Sequence, residues 1–179
     1  MKTIAITAGH SNTDCGAVGI NLRKEADITV EMRNIVASYL KSAGVPFITD
    51  GVGKDNQPLS TAINVAKSAN FAVEFHCNAG SATAKGVEVL GNPAHKVQAQ
   101  ALANAVANAL KTTVRGDNGY KPEDSGQHSK LGYISKGNGV ILELFFITNA
   151  YELSQYDNFK WVVGRNIADV LTRIAKGEL

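Results

Sequence analysis

Residues 3–49 read TIAITAGHSNTDCGAVGINLRKEADITVEMRNIVASYLKSAGVPFIT, and this stretch decides the fold class. Its first five residues form a short apolar run with β-branched side chains, which is typical of a buried strand. From Glu25 to about Ser42 apolar side chains recur at helical spacing, and Gly44 follows where a helix often ends. Residues 45–49 form a second apolar run. A strand, a helix and a strand in this order predict a βαβ unit with parallel strands.

The same alternation continues through the rest of the chain. Further strands are predicted at residues 71–76, 86–90 and 139–147, and further helices at 61–68, 94–111 and 158–175. Ser60 is the predicted cap of the first of these helices. The polar, Gly-rich residues 115–138 carry weak structure signals, and a loop of this length is often functional. We therefore predict an α/β fold, a mostly parallel twisted sheet flanked by helices on both faces.

Composition narrows the class of protein. The chain has 179 residues, 44% of them hydrophobic and 19% charged, which suits one domain with one sizeable core. A net charge of +2 does not indicate a nucleic-acid partner. No apolar run approaches the roughly 20 residues of a membrane span, so we expect no membrane insertion. The first ten residues lack the apolar region of a signal peptide, and synthesis in the cytoplasm is expected. Cys15 and Cys77 are then expected as free thiols.

Four polar residues stand at unusual places in this pattern. His10 follows the first strand, His76 ends the third, Glu25 opens the first helix, and Glu143 interrupts the most apolar strand. The carboxyl ends of parallel strands form the edge where ligand sites lie. Two histidines and one carboxylate are a known catalytic zinc set, with a fourth position open. A second carboxylate nearby suits a general base.

Spacing alone leaves other interpretations of these residues open. The four are far apart in the chain, unlike the compact HExxH motif of many zinc hydrolases. A histidine at a strand end is more often a hydrogen-bonding or surface residue than a ligand. Glu25 is also explained by a favourable interaction with the helix dipole, and Glu143 by a structural ion pair.

Four segments of the sequence resemble, in order, those of the zinc N-acetylmuramoyl-L-alanine amidases, a family also called amidase type 3. The segments are ITAGHSNTDCGAVG (6–19), RKEADITVEMRNIVASYL (23–40), FAVEFHCNAG (71–80) and GVILELFFITNAYE (139–152). The resemblance implies that His10, Glu25 and His76 bind one Zn²⁺ ion and that Glu143 is the catalytic acid/base. It also implies the reaction, which is hydrolysis of the amide bond between N-acetylmuramic acid and L-alanine in peptidoglycan.

The sequence departs from the family pattern beside the second histidine. The family commonly has a small residue two positions earlier, where this chain has Glu74. Strand alternation puts Glu74 on the same face as His76 and turns Cys77 to the opposite face. Glu74 is then either a partner of His76 or half of a salt bridge to a helix, and we favour the salt bridge.

Weaker candidates complete the predicted site. Asn78 is expected to orient the site by hydrogen bonding, and His128, in the polar loop, to contact substrate. Glu31 and Glu88 fit exposed faces of a helix and a strand and need no function. Neither a P-loop nor a GxGxxG fingerprint is present in the sequence.

The family contains bacterial cell-division and sporulation enzymes as well as phage endolysins. Without a signal peptide or a separate wall-binding domain, residues 1–179 resemble a single catalytic domain of the endolysin type. Such a protein would be a monomer that reaches peptidoglycan through a separate pore. Two alternatives stay open. A zinc carboxypeptidase would use Arg115 or Arg165 on a terminal carboxylate, and a non-catalytic wall-binding module would not need Glu143.

Overall fold

The computed structural model describes residues 1–125 and 130–179. It contains six strands: β1 (Ile4–Ala8), β2 (Phe47–Thr49), β3 (Phe71–Asn78), β4 (Glu88–Gly91), β5 (Tyr120–Pro122) and β6 (Val140–Phe146). Five α-helices connect or follow them: α1 (Glu25–Ser42), α2 (Leu59–Lys67), α3 (Lys96–Leu110), α4 (Gly132–Ser135) and α5 (Ala150–Lys176). The predicted order of strands and helices is confirmed, with β5 and α4 added inside the segment 115–138.

The strands form one sheet in the order β2-β1-β3-β6-β4-β5. The pairs from β2 to β6 are parallel, and β5 is parallel to β4. Only the pair of β4 with β6 is antiparallel among the described strands. The prediction of a mostly parallel sheet is therefore confirmed. The reversed strand has a consequence for the site, because the amino end of β4 lies at the same edge of the sheet as the carboxyl ends of β3 and β6.

Helices cover both faces of the sheet. On one face α1, α3 and α5 enclose the larger core, to which β3 contributes Val73, Phe75 and Cys77. On the other face α2 and α4 pack over a smaller core that includes Ala72 and Ile141. Because side chains alternate along a strand, the polar residues of β3 and β6 point to this second face. They are Glu74, His76, Asn78 and Glu143.

Two predicted helix starts are wrong. Helix α5 begins at Ala150, eight residues before the predicted start, because the Asn149 side chain accepts hydrogen bonds from the backbone N–H groups of Tyr151 and Glu152. Helix α2 begins at Leu59, and Pro58 occupies the N-cap position. Ser60 therefore lies inside the first turn and does not cap the helix.

A buried ion pair joins α1 to the residue that follows β2. The guanidinium Nη1 of Arg33 lies 3.1 Å from Asp50 Oδ1, and neither side chain is exposed. The same carboxylate accepts a hydrogen bond from the backbone N–H of Ala8, two residues before His10. Burial raises the pKa of Asp50, although Arg33 opposes the shift. This pair fixes the strand end from which the site begins.

Cys15 is exposed, Cys77 is buried, and both thiols are free, as expected. In residues 1–125 and 130–179, no helix is both long and apolar enough to span a bilayer.

Candidate metal centre and active site

His10, Glu25 and His76 come together at the carboxyl edge of the sheet. Each offers one ligand atom, and these atoms all lie within 4.8 Å of one another. The Glu25 carboxylate lies between the two rings, with Oε2 at 2.9 Å from His10 Nε2 and Oε1 at 2.9 Å from His76 Nδ1. The three residues implied as zinc ligands are thus neighbours in space although 66 residues separate the first from the last.

Local backbone structure explains why these side chains meet. His10 adopts the left-handed conformation, with φ at 70°, which turns its ring toward Glu25. A Cβ on Gly9 would lie 2.4 Å from His76 Nε2, and a Cβ on Gly16 would lie 2.5 Å from His10 Nε2. Glycine at both positions therefore lets the backbone approach the two rings closely.

Glu25 is held from two sides as the first residue of α1. The backbone N–H of Ala17 donates to its Oε2, and the backbone N–H of Cys77 donates to its Oε1, both at 2.9 Å. The first bond comes from the loop after β1 and the second from β3. The carboxylate is therefore fixed to both chain segments that carry the histidines.

A second carboxylate contacts the outer nitrogen of each histidine. Asp14 Oδ2 lies 3.0 Å from His10 Nδ1, and Glu74 Oε2 lies 3.2 Å from His76 Nε2. The favoured salt bridge from Glu74 to a helix is therefore wrong. Glu74 is 3% exposed and its carboxylate faces the imidazole, because Glu74 and His76 share one face of β3.

The electrostatics of the cluster favour an ionised carboxylate between charged imidazoles. Burial alone raises the pKa of Glu25, but the close contacts of its carboxylate with the imidazoles of His10 and His76 hold it well below its ordinary value. Burial alone lowers the pKa of His76, but the carboxylates of Glu25 and Glu74 outweigh this and raise it well above its ordinary value. A cation at the centre of the cluster would replace the protons that now balance these carboxylates.

Glu143 lies directly beside the cluster. In the sheet register it is opposite His76 on β3 and opposite Glu88 on β4. Its Oε2 is buried and has no hydrogen-bond partner within the described part of the chain. Burial raises the pKa of Glu143 to about 7. A carboxyl group with this pKa can both accept and donate a proton near neutral pH.

The expectation that Glu88 lies on an exposed face is wrong. Glu88 is 7% exposed and lines the cleft next to Glu143. Its Oε2 lies 2.5 Å from Arg115 Nε and 2.9 Å from Lys121 Nζ. Burial alone raises the pKa of Glu88, but these two cations hold it below its ordinary value. Glu88 is therefore the ionised member of the Glu88–Glu143 pair.

Three further residues named in the sequence analysis are Asn78, His128 and Glu31. Asn78 lines the cleft, and its Nδ2 is buried without a hydrogen-bond partner among the described residues. His128 lies outside the described residues, so the structure does not place it. Glu31, which was expected to be merely exposed, forms an ion pair with Lys160 and accepts a hydrogen bond from the Tyr156 hydroxyl.

These groups line a cleft of about 830 Å³. One side carries the cluster, Asn78, Glu88 and Glu143. The other side is mainly apolar and is formed by α2, α4 and their flanking residues, namely Pro58, Leu59, Leu131, Gly132 and Tyr133. A polar reaction centre beside an apolar wall is the usual form of an enzyme cleft.

The residues of the cluster fit a zinc ion. Two imidazole nitrogens and one carboxylate oxygen are the donors that zinc takes in catalytic sites. His10 Nε2 is buried and lacks a hydrogen-bond partner within residues 1–125 and 130–179, although Glu25 is close to it. An unpartnered nitrogen that faces a carboxylate is suited to share a cation with it.

Fold and cleft together define a class, that of α/β hydrolytic enzymes with a His-Glu-His metal-type site at the carboxyl edge of a sheet. The sequence model of one family, N-acetylmuramoyl-L-alanine amidase, matches residues 4–173. The chain therefore belongs to the N-acetylmuramoyl-L-alanine amidase family, and the prediction of a peptidoglycan amidase is confirmed.

Individual proteins agree with this assignment. A putative N-acetylmuramoyl-L-alanine amidase from Neisseria meningitidis is 43% identical, with a TM-score of 0.88 over 98% of this chain and 96% of that chain. The catalytic domain of the amidase CwlV from Bacillus (Paenibacillus) polymyxa var. colistinus is 28% identical, with a TM-score of 0.81 over 98% and 99%. The uncharacterized protein YqiI of Bacillus subtilis is 34% identical over 155 residues, which are 83% of this chain and 72% of that protein.

Sequence reasoning gave no role to Glu152. Its buried carboxylate accepts hydrogen bonds from the backbone N–H groups of Gly86 and Phe146, both at 2.8 Å, and from the Thr112 hydroxyl. It thereby joins the end of β6 to the segments that enter β4 and leave α3. A signal existed, because Asn149 and Glu152 have the spacing of a helix capping box.

Proposed function

We propose that the protein hydrolyses the bond between N-acetylmuramic acid and L-alanine as a zinc-dependent enzyme. His10, Glu25 and His76 would hold one Zn²⁺ ion, and Glu143 would be the general acid/base. One observation carries the proposal. Glu143, whose Oε2 is buried and unpartnered among the described residues, lies opposite His76 in the sheet register, beside the three converging donors.

The proposed role of each group follows from its chemistry. When bound, zinc supplies a Lewis acid for the amide carbonyl and lowers the pKa of a water. Glu143 takes a proton from the attacking water and passes it to the nitrogen that leaves with L-alanine. Its pKa of about 7 suits both transfers. Ionised Glu88, already paired with two cations, contributes to the raised pKa of Glu143.

Asn78 and His128 complete the proposed site. Asn78 lines the cleft beside Glu88, and we assign it to orienting a substrate oxygen by hydrogen bonding. A substrate contact by His128 stays a prediction from the sequence.

The domain organisation, the oligomeric state and the biological role of the protein are also proposals. We infer that residues 1–179 form a single catalytic domain that acts as a monomer. Cutting this bond frees stem peptides from glycan strands, so the activity alone suffices for wall lysis by an endolysin made in the cytoplasm and released through a pore. Light scattering on the purified chain tests the monomer. Lysis of cells that occurs only when a separate pore protein is co-expressed tests the endolysin role, and lysis without the pore contradicts it.

The first experiment measures new amino termini released from purified peptidoglycan. Wild-type protein, chelator-treated protein and chelated protein with zinc restored are compared, and the new N-terminal residue is identified. Zinc-dependent exposure of L-alanine supports the proposal. Release of C-terminal D-alanine instead would favour a carboxypeptidase, although the Nε of Arg115 is already paired with Glu88. Binding to the wall without any bond cleavage would favour the wall-binding module.

A further inference from the structure

Glu74 is a buried carboxylate on the wall of the cleft without a task in the reaction proposed above. It is 3% exposed, and it lies two residues before His76 on the same face of β3. Within the described residues, the hydrogen bond found for its carboxylate is the one to His76 Nε2, at 3.2 Å. A buried carboxylate is costly unless a partner offsets the loss of water, so this contact needs an explanation.

The two nitrogens of His76 face different carboxylates. Nδ1 lies 2.9 Å from Glu25 Oε1, inside the candidate metal cluster, whereas Nε2 faces Glu74 on the outer side. A nitrogen that donates its hydrogen to Glu74 leaves the other nitrogen, Nδ1, as the one that can bind a cation. Glu74 thus selects both the orientation of the ring and the atom that it presents to the cluster.

The backbone around this contact is rigid. β3 is paired on both sides, with β1 through Thr7 opposite Glu74 and with β6 through Glu143 opposite His76. Glu74 and His76 therefore keep their separation whether or not a cation is present. The corresponding contact on His10 is different, because Asp14 is 64% exposed and water can replace it. Of the two outer carboxylates, Glu74 is the one that is shielded from solvent.

We propose that Glu74 is a positioning residue that holds the His76 ring with Nδ1 toward the metal position and thereby strengthens metal binding. The inference rests on the proposed zinc centre. Carboxylates that accept a hydrogen bond from the outer nitrogen of a ligating histidine typically contribute 10- to 100-fold to metal affinity. Glu74 acts through His76 and does not touch substrate in this assignment.

The test is zinc affinity, measured by competition with a chromophoric chelator at one pH. Glu74→Ala removes the acceptor, Glu74→Gln keeps an acceptor oxygen without the charge, and Glu88→Gln is the matched control on the same face without contact to a ligand. We expect the Kd for zinc to rise about 10- to 100-fold in Glu74→Ala and by less in Glu74→Gln. Glu88→Gln should leave the Kd for zinc close to that of wild type. Thermal unfolding of the metal-free samples shows that each variant is folded, and Glu74→Gln serves if Glu74→Ala is not.

Three outcomes would overturn the inference. An unchanged Kd in both Glu74 variants, with wild type binding zinc, overturns the role of Glu74 and leaves the zinc centre standing. An equal loss in Glu88→Gln overturns it too, because the effect would then come from the general negative charge of the cleft. A wild-type protein that does not bind zinc overturns the zinc centre itself, and with it this inference.

Discussion

His76 and Glu143 are direct neighbours in the parallel ladder of β3 and β6. One is a candidate metal ligand and the other is a carboxylate with a buried, unpartnered oxygen among the described residues. Their separation is set by backbone hydrogen bonds and does not depend on a loop. The structure therefore predicts that the acid/base group and the metal site can be altered independently.

Replacing Glu143 by Gln should remove catalysis and leave zinc in place. The amide keeps the size of the side chain but cannot accept the proton from water, so we expect kcat to fall by about 10²- to 10⁴-fold. Release of L-alanine termini gives the rate, and elemental analysis gives the zinc content. Loss of zinc together with activity would mean that Glu143 supports the metal site and is not an independent base.

Chelation should lower stability as well as activity. Zinc that binds only the folded chain would add about 2.7 kcal/mol to the free energy of unfolding at a free concentration of 100 times its Kd. Urea unfolding with and without zinc measures this difference. His76→Ala is the comparison, since it removes a proposed ligand and should abolish the gain. A gain of the same size in His76→Ala would point to zinc bound elsewhere.

Gly16→Ala should damage the metal site selectively. Its φ is +64°, and a Cβ would lie 2.5 Å from His10 Nε2 and 2.7 Å from Glu25 Oε2. We expect zinc affinity and kcat/KM to fall at least about tenfold, because both ligands must move. Gly44→Ala is a matched control, with φ at +65° and no heavy atom within 4 Å of the added Cβ. It should cost only about 1 kcal/mol of stability and leave activity unchanged.

Arg33→Met should destabilise the fold strongly, because it leaves the Asp50 carboxylate buried without its cation. We expect a loss of about 3 to 5 kcal/mol in the free energy of unfolding. Arg23→Met removes a partly exposed cation that pairs with Glu31 and Asp157 and should cost less than about 1 kcal/mol. Denaturant titration compares the two variants, and equal losses would show that the burial of the Arg33 pair is unimportant.

The stability of the metal-free protein should fall as pH rises from about 4.5 to about 7. Burial raises the pKa of Glu143 from 4.5 to about 7, so across this window the folded chain keeps a proton that the unfolded chain has lost. The free energy of unfolding then decreases with pH, for Glu143 by at most roughly 3 kcal/mol. Glu143→Gln should flatten this part of the profile. The histidines, present in both proteins, act in the same direction. A profile that the substitution does not change would contradict the raised pKa.

Much of the fold follows from local patterns in the sequence. The strand-helix-strand pattern of residues 3–49 predicts a parallel sheet, and that sheet predicts an edge where His10 and His76 meet. The order of the strands in the sheet cannot be predicted in this way, because no local pattern indicates that β6 inserts between β3 and β4. The burial of Glu88 follows from this insertion and could not be predicted without it.

The sequence also does not determine which residue a buried polar side chain contacts. Alternation along β3 gives the face of Glu74 but leaves open whether its partner is a helix or His76. In the structure the partner of Glu74 is His76, and among the described residues no cation from α2 or α4 reaches the carboxylate. The early start of α5 is a different case, since the spacing of Asn149 and Glu152 already carried the signal.

The position of β6 has a consequence for how the enzyme adapts to its substrate. The strand that carries Glu143 is hydrogen-bonded along both edges, to β3 on one side and β4 on the other. Its amide protons should therefore be among the slowest in the molecule to exchange with deuterated solvent. Adjustment to the substrate is then expected at the rim of the cleft, while the proton-transferring group keeps its place.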